Sequence, residues 1–400
     1  AQADITLEFT HWAAGNIEAS LRALHAWMDA MERSGNQVFA MASAFVVADL
    51  QVTLGHLGEA EKALRQAIQR AAVLGRETES ITAHDHLGLA LLAHERGDEM
   101  AATQHLQTAA DLGQRTTLVD WRYRWNLAQA RLKESAGEWD AALESFDEAK
   151  RGYVKNAIPI LQPVEAHKAR VCLKQGRTDK AQSWVRERSI TTEDEVCYVN
   201  EYDHLTLARV RLAGSSFAGV NDLLDRLLAL AETQKRTGSV IEIRLTQALA
   251  HQAQNNRRQA LEALGHALAL AEPEGYLRIF VDEGEPIRWL MADFRSTVES
   301  QATHSLLEYV DKILAAFSQP AMVTAPPAIA NHESEIIEPL TDRELEILHL
   351  IAAGQSNTEI SQRLYLALST VKGHNLRIFG KLQAQNRTQA VARARELGYL

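Results

Sequence analysis

A short pattern recurs along most of the chain at intervals close to forty residues. A small or polar turn residue is followed five positions later by a small residue, and a Leu-rich amphipathic run comes next. The six pairs are Gly55/Ala60, Gly97/Ala102, Gly137/Ala142, Gly176/Ala181, Ser215/Val220 and Asn255/Ala260. Their successive spacings are 42, 40, 39, 39 and 40 residues. A period of this length with two helices per unit is typical of a helical solenoid, in which each unit buries its small residues against the next.

The sequence before Pro320 predicts helix almost throughout. Apolar residues recur at spacings of three and four, prolines are few, and no stretch alternates as a half-buried strand does. We therefore predict an all-α protein whose solenoid is nearest to the tetratricopeptide class, with a unit longer than the usual ~34 residues. Beyond Asn255 the repeat drifts. Residues 271–291 predict an irregular cap, and a further helix is expected over about 302–317.

A proline-rich stretch separates this solenoid from the end of the chain. Residues 318–339 hold four of the eight prolines and show no helical period. Such a composition predicts a semi-extended linker. We place the linker at 319–338, between a helical-repeat domain over 1–318 and a C-terminal domain over 339–400.

Charge is unevenly distributed between these parts. The whole chain has a formal charge of -10, yet residues 339–400 contain eight Lys/Arg and five Asp/Glu. Six of those basic residues, but only one of the acids, lie beyond residue 363. A basic tip on an acidic body concentrates attraction for phosphate at one end of the chain.

Other patterns limit the function classes. Two cysteines are too few for a disulfide framework and indicate a reducing cytosol. No uninterrupted apolar run approaches the ~20 residues that span a bilayer, and no secretory leader is present, so we expect a cytoplasmic protein without membrane association. The sequence has no Gly-x-x-x-x-Gly-Lys-Ser/Thr loop and no His-Glu-x-x-His, and we expect no catalytic, cofactor or metal site. It begins with Ala1 inside a helical pattern, which indicates a piece of a longer protein.

The C-terminal domain contains repeated helix-start signals. A hydroxyl or amide residue followed three positions later by Glu or Gln occurs at Thr341/Glu344, Ser356/Glu359 and Asn386/Gln389. We predict helices over about 342–353 and 357–364, a third ending near Leu382 and a fourth ending near Gly398. Two helices joined by a short turn, with basic and polar residues at the start of the second, form a helix-turn-helix.

Five motifs in this region carry a family resemblance: LTDRELEIL, GQSNTEISQRL, STVKGH, GKL and NRTQAV. They resemble the LuxR-type (GerE) helix-turn-helix domain. Residues 236–286 are similar to the end of the sensor in large MalT-like activators. The resemblance implies a four-helix head that binds double-stranded promoter DNA, recruits RNA polymerase and self-associates on DNA. It also implies ATP only for a nucleotide-binding domain that would precede this chain.

The recognition helix supplies candidate DNA contacts. Lys372, His374 and Asn375 lie near its start, where side chains face base edges in the major groove. Gly373 either lets the backbone approach a base closely or is mere sequence drift. Candidate phosphate donors, which fix register, are Ser356, Ser369, Thr370, Arg377, Lys381 and Arg387. For each basic residue the alternative is a solvated surface charge.

The head departs from its relatives at three positions. Ala367 replaces the usual capping Ser, Gly373 lies inside the helix, and Leu376 stands where a basic residue is common. A DNA sequence preference therefore cannot be transferred from relatives.

Two polar-aromatic groups in the solenoid are candidate effector contacts. The first is Trp121, Arg122, Arg124 and Trp125; the second is Glu201 and Tyr202, with His204 nearby. On an inner helix such groups could stack on a ligand and hydrogen-bond it. The alternative is packing between repeats with surface arginines.

These patterns together favour a DNA-binding transcriptional regulator. We expect an activator whose solenoid senses a small-molecule or protein effector. The alternative is a helical-repeat interaction scaffold with a weak or vestigial DNA-binding head.

Overall fold

The structure is a computed structural model. It describes residues 2–116, 118, 120–154, 158–297, 303–317, 340, 342–364, 371, 374–375, 378–379, 381–382, 384, 387–396 and 399–400. The chain divides into two compact units, residues 1–327 and 328–400. All regular structure in the described residues is helical, which confirms the all-α prediction. The predicted linker at 319–338 lies outside the described residues.

The helices of the first unit pack mainly as antiparallel neighbours along the chain. They are α1 (Gln2–Ala13), α2 (Ile17–Arg33), α3 (Gln37–Ala42), α4 (Ala44–Leu54), α5 (Leu57–Leu74), α6 (Arg76–Glu79), α7 (Ala83–Glu95), α8 (Glu99–Gly113), α9 (Trp121–Ser135), α10 (Trp139–Arg151), α11 (Val164–Lys174), α12 (Thr178–Arg188), α13 (Glu201–Ala213), α14 (Val220–Thr233), α15 (Thr237–Ala253), α16 (Arg257–Ala271), α17 (Arg278–Val281), α18 (Glu285–Thr297) and α19 (His304–Ala316). Short 3₁₀ turns occur at Ser80–Thr82, Tyr198–Asn200 and Glu272–Glu274.

The repeated sequence pairs lie at the turns between paired helices. All six predicted turn residues have positive φ, from 53° at Ser215 to 87° at Gly55. The residue five positions later is at most 4 % exposed in every pair. The left-handed backbone reverses the chain, and the small residue then lets the two helices approach closely. The predicted solenoid repeat is therefore confirmed.

The same turn occurs at three places that the forty-residue pattern does not include. Positive φ followed five positions later by a small buried residue is found at Gly15/Ser20, Gly35/Ala40 and Lys235/Val240. Each of these turns lies about twenty residues from a neighbouring turn, because the helix between the two turns has a short connection at both of its ends. A search at a single period of forty therefore misses them.

One helix from each pair lies on the inside, and the inner helices form a closed cycle. Helix α4 contacts α7, which contacts α9; α11 contacts α13, which contacts α15; and α15 packs back onto α4. Helix α9 is joined to α11 through α10 and by the Glu134–Lys174 ion pair, at 2.8 Å. The solenoid thus completes one turn and closes as a ring.

The seam of the ring depends on close backbone contact. A Cβ atom on Gly238, at the start of α15, would lie 2.5 Å from the carbonyl oxygen of Val52 in α4. Only glycine permits that approach. Around the seam, Leu57 and Leu64 belong to the same buried cluster as Ile241 and Leu245.

The predicted cap crosses one rim of the ring. This cap segment, Glu272–Gly284, combines a 3₁₀ turn with the short helix α17, as the irregular pattern predicts. Its contacts reach the ends of several inner helices. The Leu277 amide donates to the Glu95 carbonyl at 3.0 Å, Arg278 donates to the Ser135 carbonyl at 3.3 Å, and Arg209 pairs with Glu283 at 2.6 Å.

One stretch of the described residues, Gln37–Leu54, is long and apolar enough by composition to cross a membrane. It comprises α3 and α4. Val46, Val47 and Leu50 of this stretch are buried in a cluster with Trp12 and Trp27. Packing inside the ring therefore accounts for its apolar composition.

The second unit contains α20 (Asp342–Ala352), α21 (Asn357–Leu364) and α22 (Arg387–Glu396). The bounds of α20 and α21 agree with the prediction to within one residue. Between α21 and α22, the described residues Val371, Ile378 and Leu382 are buried in one core with Ile347 and Ile360. Val371 and Ile378 are helical, as the predicted third helix requires.

Candidate nucleic-acid interface and inner chamber

The turn between α20 and α21 is fixed by Gly354 and a capping box. Gly354 has φ +82°, which ends α20 and reverses the chain. Glu359 accepts a hydrogen bond from the Ser356 amide at 2.7 Å, and the Glu359 amide donates to Ser356 Oγ at 3.3 Å. These bonds lower the pKa of Glu359, so its carboxylate stays ionised near the positive end of α21. The predicted capping box at this helix is confirmed.

Half of the expected DNA contacts lie outside the described residues. These are Ser369, Thr370, Lys372, Gly373 and Arg377. Among the described ones, Ser356 is exposed at the start of α21 and His374 is half-buried.

Asn375 is 8 % exposed, and its Nδ2 donates to Asn357 Oδ1 at 2.8 Å. In this structure its amide therefore joins the third helix to the start of α21 and does not project into solvent. Its expected contact with a base stays a prediction that would require a different side-chain position.

Two expected phosphate donors form contacts within the head. Lys381 Nζ lies 2.7 Å from Glu344 Oε2, and the two side chains are 15 % and 4 % exposed. Arg387 donates to the Ile351 carbonyl at 2.9 Å and also to the Gln355 carbonyl. The last carbonyls of a helix lack partners inside it, so Arg387 completes the end of α20. Both cations hold helices together in this structure.

The first candidate effector group is packed into the ring. Trp121 and Trp125 are 5 % and 2 % exposed, with ring centroids 5.4 Å apart. Trp121 also stacks on His84 at 5.8 Å. Burial, followed by the charge of Arg124, lowers the pKa of His84 to about 3. This geometry agrees with the packing alternative for both tryptophans, whereas Arg122 is exposed.

The guanidinium of Arg124 is engaged by neighbouring side chains. It donates to Asp120 at 2.9 Å and to Asp49 at 3.1 Å, and its guanidinium lies 4.2 Å from the centre of the Phe45 ring. Charge-assisted bonds of this kind hold α9 against α4.

The second candidate group is also buried. Glu201 pairs at 2.7 Å with Arg236, a fully buried arginine. The hydroxyl of Tyr202 lies 2.7 Å from His167 Nδ1, and Arg170 lies 3.7 Å from the centre of the Tyr202 ring. His204 is buried as well. These side chains form contacts between α11, α13 and α15.

The inner helices enclose a charged space, here called the inner chamber. We assign to it the charged residues that pair between inner helices, together with the exposed Arg131; they are Asp49, Arg124, Arg131, Glu134, Arg170, Lys174, Arg209 and Glu242. The Asp49 side chain is 45 % exposed, yet burial raises its pKa. A carboxylate can be exposed to water and still have a pKa raised by burial when protein surrounds the water that reaches it. At Asp49, the space between the inner helices is therefore both enclosed and accessible to water.

Comparison with known proteins assigns both units. The family described as the MalT-like TPR region matches residues 1–297. This chain belongs to that family. A second family, described as bacterial regulatory proteins of the luxR family, matches residues 338–394. The MalT-like region is thus followed by a luxR-type helix-turn-helix domain.

The curated relatives of this MalT-like chain are described as regulators. It is 23 % identical to the HTH-type transcriptional regulator MalT of Vibrio campbellii over 243 residues, 56 % of this chain and 26 % of that protein. It is 50 % identical over 60 residues to the uncharacterized transcriptional regulatory protein YxjL of Bacillus subtilis, covering 15 % of this chain and 28 % of the relative. The response regulator protein VraR of Staphylococcus aureus is 52 % identical over 58 residues, 14 % of this chain and 28 % of the relative. The chain spans about a quarter of the length of these relatives.

Apart from Arg124, sequence reasoning missed the residues assigned to the chamber in the MalT-like region. Arg131, Arg170 and Arg209 have no local motif around them, and each resembles a surface arginine when taken alone. The available signal is their spacing of 39 residues, which equals the repeat period. Equal spacing places them at equivalent positions of successive inner helices.

Proposed function

We propose that this chain is the sensor and output portion of a ligand-responsive, cytoplasmic transcription activator. The observation that carries the proposal is the order of its two units, a closed helical-repeat ring followed by a luxR-type head. The relatives that contain one or both of these parts are described as regulators. The basic end of an otherwise acidic chain supports DNA as the partner of the head.

The head would bind double-stranded DNA through the start of its third helix. Lys372 and His374 are the proposed base contacts, since lysine donates to guanine O6 and N7. The exposed Ser356 and the first amides of α21 are the proposed contacts to the DNA backbone, because a helix N-terminus favours a phosphate. Asn375, Glu344 and Lys381 would position these groups.

The ring would sense the effector. It encloses a polar, water-accessible chamber whose walls come from six inner helices, so a ligand there would contact several repeats at once. A ligand that binds one arrangement of those repeats more tightly shifts the population toward it. The family resemblance supports three further parts of the proposal. They are recruitment of RNA polymerase, self-association on DNA and an ATP-binding domain in a preceding segment.

The proposal is tested by selecting DNA from a random-sequence library with the purified chain. We expect enrichment of a discrete sequence. On that sequence, Lys372→Ala should weaken binding about 10- to 100-fold, corresponding to ~1–3 kcal/mol for a lost base contact. Arg395→Ala, at the exposed end of α22, is the matched control and should change affinity less than threefold. No enrichment, together with no binding in a gel shift at any salt concentration, would contradict the proposal.

A further inference from the structure

Three arginines form a ladder on the wall of the inner chamber. Arg131 on α9, Arg170 on α11 and Arg209 on α13 follow one another at intervals of 39 residues. This interval is the repeat period, so the three side chains occupy equivalent positions on successive inner helices. We call these residues the arginine ladder.

Two members of the ladder are neutralised by the chain itself. Arg170 lies 2.7 Å from Glu242 and also donates to Thr206 at 2.8 Å. Arg209 lies 2.6 Å from Glu283 and 3.5 Å from Glu242. Glu242 lies on α15, which contacts α13, and Glu283 lies in the cap segment. The charges of Arg170 and Arg209 are thus balanced by acids from these two other elements.

Arg131 differs from both. It is exposed, and no hydrogen bond or ion pair links it to another residue in the part of the chain that the structure describes. Burial is the largest influence on the pKa of Asp49, Glu95 and Glu242, and the charge of Arg131 is a smaller influence that lowers each. Those acids lie on α4, α7 and α15. The charge of Arg131 thus reaches acids on three other inner helices, as expected for a residue on the inner side of α9.

Asp49 and Glu95, whose pKa values Arg131 influences, and Glu134 on the same helix are already engaged elsewhere. Asp49 accepts from Arg124 at 3.1 Å, and Glu134 lies 2.8 Å from Lys174. Glu95 accepts from the Ile279 amide at 3.0 Å. An unpaired guanidinium in an enclosed space attracts anions more strongly than one in open water. Its planar fork matches the two oxygens of a carboxylate or a phosphate.

We propose that Arg131 holds the anionic group of a small effector in the inner chamber. The group is a carboxylate or a phosphate, and the paired charges around it hydrogen-bond the polar remainder of the molecule. This inference rests on the proposed sensing role of the ring. It specifies the chemical class of the effector and the residue that selects it.

The test is calorimetric titration of the 400-residue chain with inorganic phosphate and, separately, with succinate. Ionic strength is held constant with sodium chloride so that general screening does not change. We expect saturable binding of one anion per chain, and the tighter of the two probes identifies phosphate or carboxylate as the recognised group. Arg131→Gln should weaken binding at least tenfold. Arg131→Lys keeps the charge without the fork and should bind between wild type and Arg131→Gln.

Arg258→Gln is the matched control, because Arg258 is an exposed arginine on α16, which is not one of the inner helices. It should bind as wild type does. A second measurement uses phenylglyoxal, which modifies accessible arginines, followed by mass spectrometry. Saturating anion should protect Arg131 and leave Arg258 reactive.

Any one of three results would overturn the inference. They are no saturable binding by the wild-type chain, equal affinity of wild type and Arg131→Gln, and equal modification of Arg131 with and without anion. DNA selection with the same preparation separates the two proposals. Enrichment of a sequence without anion binding contradicts only the anion site.

Discussion

At the scale of single residues, the head is held by a buried ion pair that the sequence presents as two ordinary surface charges. Glu344 and Lys381 are 4 % and 15 % exposed, whereas the Arg343–Glu346 pair on the same helix is 40 % and 50 % exposed. Removing one partner of a buried pair leaves an uncompensated charge, which costs far more than loss of an exposed pair.

We predict that Lys381→Ala destabilises the head by about 3 kcal/mol. Glu346→Ala, which breaks the exposed pair, should cost no more than about 0.5 kcal/mol. Hydrogen exchange of amides in α20, followed by mass spectrometry on the whole chain, measures both effects. Similar protection in the two variants would show that the buried pair contributes little.

A second residue-scale prediction concerns acid. The folded chain keeps His84 neutral, with a pKa lowered from 6.5 to about 3 by burial and then by Arg124. The unfolded chain protonates it near its ordinary value, so between these values unfolding takes up a proton. His84 therefore contributes stability above pH 6.5 that is lost as the pH falls toward 3, at about 1.4 kcal/mol per pH unit.

His84→Phe keeps an aromatic ring and removes the titration. Its free energy of unfolding should fall less between pH 6 and pH 5 than that of wild type, by about 1 kcal/mol. All seven tryptophans lie in the first unit, so urea unfolding monitored by tryptophan fluorescence reports on the ring. If the free energy of unfolding changed equally with pH in the two proteins, a neutral His84 in the folded chain would be ruled out.

At the scale of helices and turns, the sequence is most informative where backbone conformation is decided locally. The six turn positions were predicted from the recurring pairs, and five of them are glycine or asparagine, which accept positive φ at low cost. The packing partners of individual side chains were harder to predict from the sequence. Whether Trp121 and Trp125 contact a ligand or other repeats depends on helices distant in sequence. The same holds for Asn375, whose partner Asn357 lies on the preceding helix.

We predict opposite effects from two turn substitutions. Gly137 has φ +77° and open space around its Cβ position, so Gly137→Ala tests backbone strain alone and should cost about 1 kcal/mol. Ser215, exposed and at φ 53°, already bears that strain. Ser215→Gly should stabilise the ring by about 0.5 kcal/mol, since relief of strain exceeds the added entropy of the unfolded chain. Urea unfolding measures both, and changes of the same sign would contradict this account of the turns.

At the scale of the whole molecule, closure of the solenoid into a ring is the feature that sequence reasoning did not reach. Closure depends on the accumulated rotation between repeats and on one close contact, between Gly238 and the backbone of Val52. A period predicts how neighbouring repeats stack, but it does not predict where the last inner helix meets the first. The inner chamber and its arginine ladder follow from that closure.

We predict that Gly238→Ala opens the seam, because its Cβ would lie 2.5 Å from a backbone oxygen. The loss should be at least about 2 kcal/mol, as for other overpacked sites. Gly58→Ala is the matched control, since its Cβ would lie 3.6 Å from the nearest atom, in a flexible side chain. Hydrogen exchange should accelerate in α4 and α15 of the first variant only. Unchanged protection there would contradict the ring.

The central claim, that this MalT-like chain acts by binding DNA through its luxR-type head, is tested most directly by the salt dependence of its affinity. Fluorescence anisotropy with the selected duplex would be measured at a series of sodium chloride concentrations. Because Lys381 and Arg387 are engaged inside the head, we expect about three phosphate contacts per head. The logarithm of the association constant should fall linearly with the logarithm of salt concentration, with a slope of about -3 per head. A slope near zero, or no binding at low salt, would contradict the account.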